Sequence, residues 1–222
     1  MDENGRSVVF FDLDRTLTGE ISGNALVRAA WDAGMISISD LLRASFLYTV
    51  YKLQIRDPLK IIDSMAGWTS GKRVEELEIL CRMTFDNRLY PSFFRQAADE
   101  IQMHRSEGRK ILLLSSALEP ICQLMAERTD LDGWLCSKLE SKDGILTGRP
   151  VGSFCFGVEK LNRLTGYCKA EGFRLEDAWF YSDSLSDLPV LSVVGTPVCV
   201  NADKGLKREA GRRQWKILEW SN

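Results

Sequence analysis

Val8–Leu13 is an apolar run that leads straight into acids, with Asp12 and Asp14 at its end. A short apolar run with no helical period reads as a strand buried on both faces, the kind found in parallel sheets covered by helices. Side chains two apart on a strand point to the same side. Asp12 and Asp14 therefore share a side at the strand's C-terminal end, the edge where open α/β sheets bind ligands. Two neighbouring carboxylates repel, and burying them unpaired is costly. A divalent cation removes that objection, and Mg²⁺ in particular takes oxygen ligands while keeping part of its water shell.

Three further runs have the same character: Ile111–Leu114, "AWFYSD" from Ala178, and "TPVCVN" from Thr196. Amphipathic helical patterns lie between them at Ser92–Glu107, Glu119–Arg128 and Val158–Glu171. Strands alternating with helices predict an α/β fold with a mostly parallel, Rossmann-like sheet. Two segments break the alternation. Between the first strand and the first core helix, "GNALVRAAWDAG", "ISDLLRASFLYTVYKL", "PLKIIDSMAG" and "GKRVEELEILCRMTF" read as consecutive helices. An insertion of this size predicts a separate helical cap over 19–90, with the core formed by 1–18 and 91–222. The second segment, "WLCSKLESKDGILTGRP", carries Asp143–Gly144 between strand-like runs, a hairpin signal.

Composition narrows the chemistry. The net charge of −2 gives no whole-chain field for nucleic acid. The basic tail (Lys204, Lys207, Arg208, Arg212, Arg213, Lys216) reads as the solvated face of a terminal helix. The single histidine, His104, falls on the core stripe of a helix and reads as a half-buried or flanking residue, so histidine triads and histidine metal sites are set aside. The six cysteines have no metal-ligand spacing and read as buried thiols in a reducing compartment. The polar start is unlike a signal peptide, and the most apolar stretch is too short and too charged to span a bilayer. These features predict a cytoplasmic protein without stable membrane insertion. "GWTSGK" lacks the spacing of a phosphate-binding loop and reads as a turn before a helix. Trp31, Phe46, Tyr48, Tyr51 and Trp68 read as cap core.

Catalysis is left to carboxylates, hydroxyls and lysines. The second strand is read as ending in Ser115, the third as placing Asp183 at its tip with Asp187 four residues on, and Lys160 as opening the preceding helix. A parallel sheet brings these groups to one edge. Four acids, a hydroxyl and an ammonium group around one cavity suit phosphoryl transfer, with an aspartate as nucleophile and positive charge neutralising the phosphate.

These motifs resemble those of the haloacid-dehalogenase superfamily of phosphatases. "FDLDRTLT" resembles its D-x-D-x-T signature, "ILLLSSA" its hydrophobic strand ending in Ser or Thr, "FGVEKLNRL" its lysine motif, and "YSDSLSDLPVL" its acidic metal motif. "DGILTGRP" and the closing segment are similar to the phosphoserine-phosphatase-like subfamily, whose cap lies between the first and second motifs. The resemblance implies that Asp12 is the nucleophile and a ligand of Mg²⁺. It implies that Asp14 protonates the leaving alcohol, then activates water, and offers its backbone carbonyl to the metal. Asp183 would be a metal ligand, Asp187 would orient the metal's waters or Lys160, and Ser115 and Lys160 would bind the phosphoryl oxygens. Thr16 would hold the loop between Asp14 and the cap. An aspartate at position 14 argues for phosphate-ester chemistry, because a phosphate monoester needs an acid for its leaving group.

The substrate is expected to be a small organic phosphomonoester, with Glu20, Ser116 and Thr16 as its expected contacts. Glu20 lies one residue out of register with the glutamate of enzymes acting on phosphoserine, and Ser116 and Ala117 stand where those enzymes tend to have glycines. The partnering arginine is open among Arg28, Arg43, Arg56 and Arg73. Two alternatives remain: a lipid phosphate, motivated by the apolar segment from Ile36 to Ile55, and a phosphoryl-accepting module that does not turn over. Oligomeric state is not legible in the sequence.

Overall fold

Val8, Val9, Phe10 and Phe11 are wholly buried because their strand lies in the middle of a sheet with helices on both faces. The computed structural model describes residues 7–40 and 66–221. Its main sheet has six strands, all parallel, in the order β3-β2-β1-β6-β7-β8. These are β1 (Val8–Phe11), β2 (Lys110–Leu118), β3 (Gly133–Ser137), β6 (Ala178–Ser182), β7 (Thr196–Val200) and β8 (Lys216–Leu218). The sequence reading found the four inner strands. It missed edge strands β3 and β8, the first because it runs into the hairpin with one intervening residue, the second because it is three residues long.

Alternation along the strands divides the core in two. Val9, Phe11, Ile111, Leu113 and Tyr181 face one layer, while Val8, Phe10, Leu112, Leu114 and Phe180 face the other. The first layer is covered by α3 (Arg95–Ser106) and α4 (Glu119–Thr129), and its apolar cluster extends to α1 (Ser22–Asp32) and α2 (Val74–Thr84), which pack on each other, α2 also on α4. The second is covered by α5 (Val158–Glu171), the single-turn α6 (Leu188–Leu191) and α7 (Lys204–Arg213). β1 pairs with β2 on one side and β6 on the other. The strand order reverses there, which opens a crevice at its C-terminal end.

The chain between β1 and α3 leaves and returns by paired linkers. Gly19 N–H donates to Ser92 O at 2.8 Å and Phe94 N–H to Leu17 O at 2.9 Å. The predicted hairpin forms from β4 (Leu139–Lys142) and β5 (Ile145–Pro150), with Asp143 and Gly144 both at positive φ as a tight primed turn requires. It docks on the approach to α2. Gly71 N–H donates to Leu146 O, Leu146 N–H to Lys72 O, and Val74 N–H to Gly144 O, at 2.8–2.9 Å. "GWTSGK" is a 3₁₀ turn ahead of α2, as its composition indicates.

Several expectations change in detail. α3 begins at Arg95 rather than Ser92, and β2 continues past Ser115 to Leu118, with a register shift after Leu114. Trp31 is 42% exposed on α1 rather than in a core, whereas Trp68 packs against the core. Phe46, Tyr48, Tyr51, Arg43, Arg56 and most of the two apolar helices read over 38–53 and 58–67 lie outside the described residues. All six cysteines are buried and unpaired. In the basic tail, Arg212 and Arg213 both clasp Glu209, and Lys207 pairs with Glu219. Among the described residues, no helix is long and apolar enough to cross a membrane.

Candidate active site

Asp12 follows β1 directly, and its N–H continues the sheet by donating to Tyr181 O at 2.9 Å. Its carboxylate is buried, with Oδ1 3.0 Å from Lys160 Nζ. Lys160, in the first turn of α5, donates to Asp187 Oδ2 at 2.8 Å. Ser182, the last residue of β6, donates to the same oxygen at 2.7 Å. An ammonium group thus bridges two carboxylates at the sheet's C-terminal edge, and all three are nearly inaccessible to water. Burial alone would favour neutral Lys160, but Asp12 and Asp187 together push its pKa up and keep it charged. Burial likewise raises the Asp12 pKa, and the Lys160 charge opposes that rise.

Asp14 lies on the loop beyond. Burial and the Asp12 charge push its carboxyl up to about 7, against two hydrogen bonds from Ser22 that favour the ion. Asp183, at the tip of β6, is raised to about 8 by burial and by Asp12 and Asp187. The fold therefore brings Asp12, Asp14, Asp183, Asp187 and Lys160 into one electrostatic unit. It carries more acid than one lysine neutralises.

That excess bears on metal binding. Asp187 Oδ1 is buried without a hydrogen-bond partner, and buried Asp12 Oδ1 has the Lys160 ammonium 3.0 Å away. Among the described residues, no three acid, thiol or imidazole side chains form a ready cage. A site using Asp12, Asp183 and the Asp14 carbonyl needs only two side chains, in keeping with a cation that retains water. An all-oxygen donor set with surplus negative charge fits a hard divalent ion.

The other expected residues fall less closely. Ser115 is fully buried, two residues beyond the β1 partner Leu113, and its hydroxyl accepts the Ala117 N–H at 3.2 Å. Ser116 is half-buried and its carbonyl accepts the Ser137 hydroxyl at 2.9 Å. Glu20 is half-buried, with its backbone N–H on Ser92 Oγ. Thr16 does not hold the loop through its side chain: its hydroxyl is buried without a partner. Thr18 does so instead, its hydroxyl reaching Leu13 O and Glu20 O. The turn between them is set by Arg15, an exposed residue at φ 59° whose carbonyl accepts from Asn201 Nδ2.

Four supporting residues escaped the sequence reading. Ser22 bonds both Asp14 oxygens and Ser182 bonds Asp187. Asp203 accepts the Leu185 and Leu206 N–H groups and donates its own to Asp183 O, tying the acidic loop to α7. Asn201, besides Arg15, accepts the Trp220 N–H. Ser182 left a signal, as the polar end of a buried apolar strand. Ser22 left none, because only folding brings it to Asp14.

A parallel α/β sheet with these acids and a lysine along one edge is the architecture of a haloacid dehalogenase-like hydrolase. The model of that family matches residues 9–192, and the chain belongs to it. It is a hydrolase of the phosphatase class. A phosphoserine phosphatase of Mycobacterium tuberculosis is 31% identical over 220 residues, spanning 96% of this chain and 71% of that protein. A histidinol-phosphatase of Neisseria meningitidis is 27% identical over 224 residues, spanning 97% of this chain and 99% of that one. The solved structure of a Bordetella pertussis protein of unknown function shares the fold with a TM-score of 0.87 at 24% identity, covering 97% and 99% of the two chains.

Proposed function

We propose that this protein is a Mg²⁺-dependent phosphomonoesterase that moves the phosphoryl group of a small organic ester onto Asp12 and then to water. Residues 1–18 and 91–222 form its core, and 19–90 a cap that closes over the substrate. The observation that carries this reading is the Asp12–Lys160–Asp187 row, with Asp14 held separately two residues away.

In the first step a carboxylate oxygen of Asp12 attacks phosphorus. The O–P bond to Asp12 forms, the ester P–O bond breaks, and the departing oxygen takes the proton of Asp14. In the second step water attacks the same phosphorus and gives a proton to Asp14, the Asp12–P bond breaks, and inorganic phosphate leaves. Lys160 and the Ser115 hydroxyl meet the phosphoryl oxygens, where charge grows in the transition state. The bonds of Asp187 to Lys160 and Ser182 support a role in aiming the lysine. Asp12, Asp183 and the Asp14 carbonyl would hold Mg²⁺, which supplies charge neutralisation to the phosphate.

Phosphoserine and histidinol phosphate, the compounds for which two relatives are named, are both phosphate esters of amino alcohols. We place the substrate in that class, with Glu20, Thr16 and Ser116 as its contacts. The buried, unpaired thiols support a reducing cytoplasmic setting.

The test is phosphate release from phosphoserine, histidinol phosphate, sugar phosphates and a lysolipid phosphate, with Mg²⁺ or EDTA. The expected result is Mg²⁺-dependent release, greatest on amino-alcohol phosphates and abolished in Asp12→Asn. Release that survives EDTA or that substitution would overturn the mechanism. Preference for the lysolipid would overturn the substrate class.

A further inference from the structure

Asp14 stands on a loop, yet both its carboxylate oxygens are held. The Ser22 backbone N–H donates to Oδ1 at 2.8 Å, and the Ser22 hydroxyl donates to Oδ2 at 3.0 Å. Ser22 is the first residue of α1 and is 2% exposed. A serine at a helix start ordinarily turns its oxygen onto the helix's own amides. Here the cap position belongs to Ile21, whose side chain makes no cap bond; the Asp14 carboxylate takes the Ser22 N–H, and the Ser22 hydroxyl is turned onto the same acid, eight residues earlier in the chain. The amide bond satisfies a free donor of the helix start, whereas the hydroxyl bond serves no helix donor.

We propose that Ser22 is the positioning residue for the general acid of this phosphatase, holding the Asp14 carboxyl in line with the departing ester oxygen. The inference rests on the functional reading above and adds to it a residue that acts through Asp14 without touching substrate. The two donors divide the work. A backbone amide can only donate, so it keeps Oδ1 as an acceptor and leaves Oδ2 to carry the proton. A hydroxyl can donate or accept, so its contact persists when the carboxyl gains or gives up that proton. Because α1 opens the segment between β1 and α3, the same bonds tie the acid to the seating of that segment.

The experiment exploits leaving-group chemistry. An alkyl alkoxide departs poorly without a proton, whereas p-nitrophenolate departs readily without one. Loss of acid alignment should therefore slow an alkyl phosphate and spare p-nitrophenyl phosphate. A general loss of structure slows both. The quantity to measure is kcat/KM, which reports steps up to departure of the alcohol, for the intact protein on the best alkyl phosphate of the panel and on p-nitrophenyl phosphate.

Ser22→Ala is expected to lower kcat/KM on the alkyl ester by about ten- to a hundredfold, a part of what general acid catalysis supplies, and on the aryl ester by less than about threefold. Ser22→Thr, which keeps the hydroxyl, should restore the alkyl rate to within about threefold of the wild type, and Ser22→Cys, a weaker donor, should fall between. Alanine is favourable in a helix, so α1 should persist, and far-UV circular dichroism checks this. Asp14→Asn separates the two readings. If it discriminates between the esters and Ser22→Ala does not, the role of Ser22 is overturned alone. If Asp14→Asn does not discriminate, or the wild type hydrolyses no alkyl phosphate, the reading of Asp14 falls and the role of Ser22 falls with it.

Discussion

Asp12 and Asp14 are separated by one residue, yet different parts of the molecule hold them. Asp12 is fixed from behind by the sheet, through its N–H on Tyr181 O, and from the front by Lys160. It is 6% exposed, and its surroundings are strands and helices of the two-layered core. Asp14 is half-buried on a loop whose turn is set by Arg15 at positive φ, and its carboxylate is held by the first residue of α1. On the Asp12 side, buried charge is balanced by buried charge. On the Asp14 side, single hydrogen bonds and backbone pairing fix the geometry. The nucleophile can thus stay rigid while the acid depends on the segment that leaves after β1.

The comparison is broken most directly at Lys160. Lys160→Met leaves Asp12 and Asp187 buried without their cation, and removing one partner of such a pair costs about 3–5 kcal/mol. Urea unfolding should show a loss of that order, and phosphate release should fall by about a hundred- to a thousandfold. Adding Asp187→Asn removes one of the stranded charges, so Lys160→Met/Asp187→Asn should recover much of the stability and none of the activity. Equal stability of the single and double variants would mean that charge balance does not hold the Asp12 side together.

The support beneath Asp12 supplies a second test. The Tyr181 ring stacks on Phe11 at 4.3 Å, and its hydroxyl donates to Glu100 at 2.6 Å and meets His104 Nε2 at 2.7 Å. His104 Nδ1 accepts from Arg109 at 2.6 Å, so Nε2 carries the proton and the chain of bonds runs one way. The histidine is wholly buried rather than half-buried, and burial together with Arg109 and Lys216 lowers its pKa to about 4. The unfolded chain, with an ordinary pKa of about 6.5, takes the proton first on acidification. The contribution of His104 is therefore fully present above about pH 6.5 and is lost as the pH falls toward about 4, by about 3 kcal/mol in all. Glu100 faces the same ring, so the informative quantity is the difference in pH slope between wild type and His104→Gln. A common slope would show that the network is not linked to folding.

These contrasts also explain what the sequence could disclose. Asp12, Asp183 and Lys160 were legible because each sits at the end of a strong periodic pattern, a buried strand or an amphipathic helix. The inner strands were legible for the same reason, whereas β3 runs into the hairpin after one residue and β8 is only three residues long. Ser22 and Asn201 are single polar residues whose partners are chosen by tertiary structure, so no local pattern points to them, whereas Ser182 shows only as the polar end of a buried strand. Thr16 and Thr18 are chemically equivalent in the sequence, and the path of the folded loop, with Arg15 at positive φ, decides which hydroxyl reaches the Leu13 carbonyl. The stripe on α3 showed that His104 faces a core, but its depth depends on Tyr181 and Arg109, which come from outside that helix.

The smallest expected effect sharpens the contrast from the other side, at the strap between the hairpin and the start of α2. Gly148 has φ +77°, and a Cβ there would lie 2.9 Å from Ser70 Cβ and 3.3 Å from Gly67 O. Gly148→Ala should destabilise by about 2 kcal/mol, about half from the left-handed backbone and half from the collision. Ser70→Gly removes the nearest colliding atom but not the backbone cost. A double-mutant cycle should therefore give a favourable coupling of about 1 kcal/mol and incomplete recovery. No coupling would show that the two segments are not in contact. The activity readout separates the two sides of the site. Gly148 touches neither Asp12 nor Lys160, so turnover of p-nitrophenyl phosphate should stay near the wild-type rate. If the strap helps to seat the segment carrying α1, the alkyl phosphate should lose more rate than the aryl one, in the same sense as Ser22→Ala and to a lesser degree. Equal losses on both esters would instead couple the strap to the nucleophile and remove the distinction between the two sides.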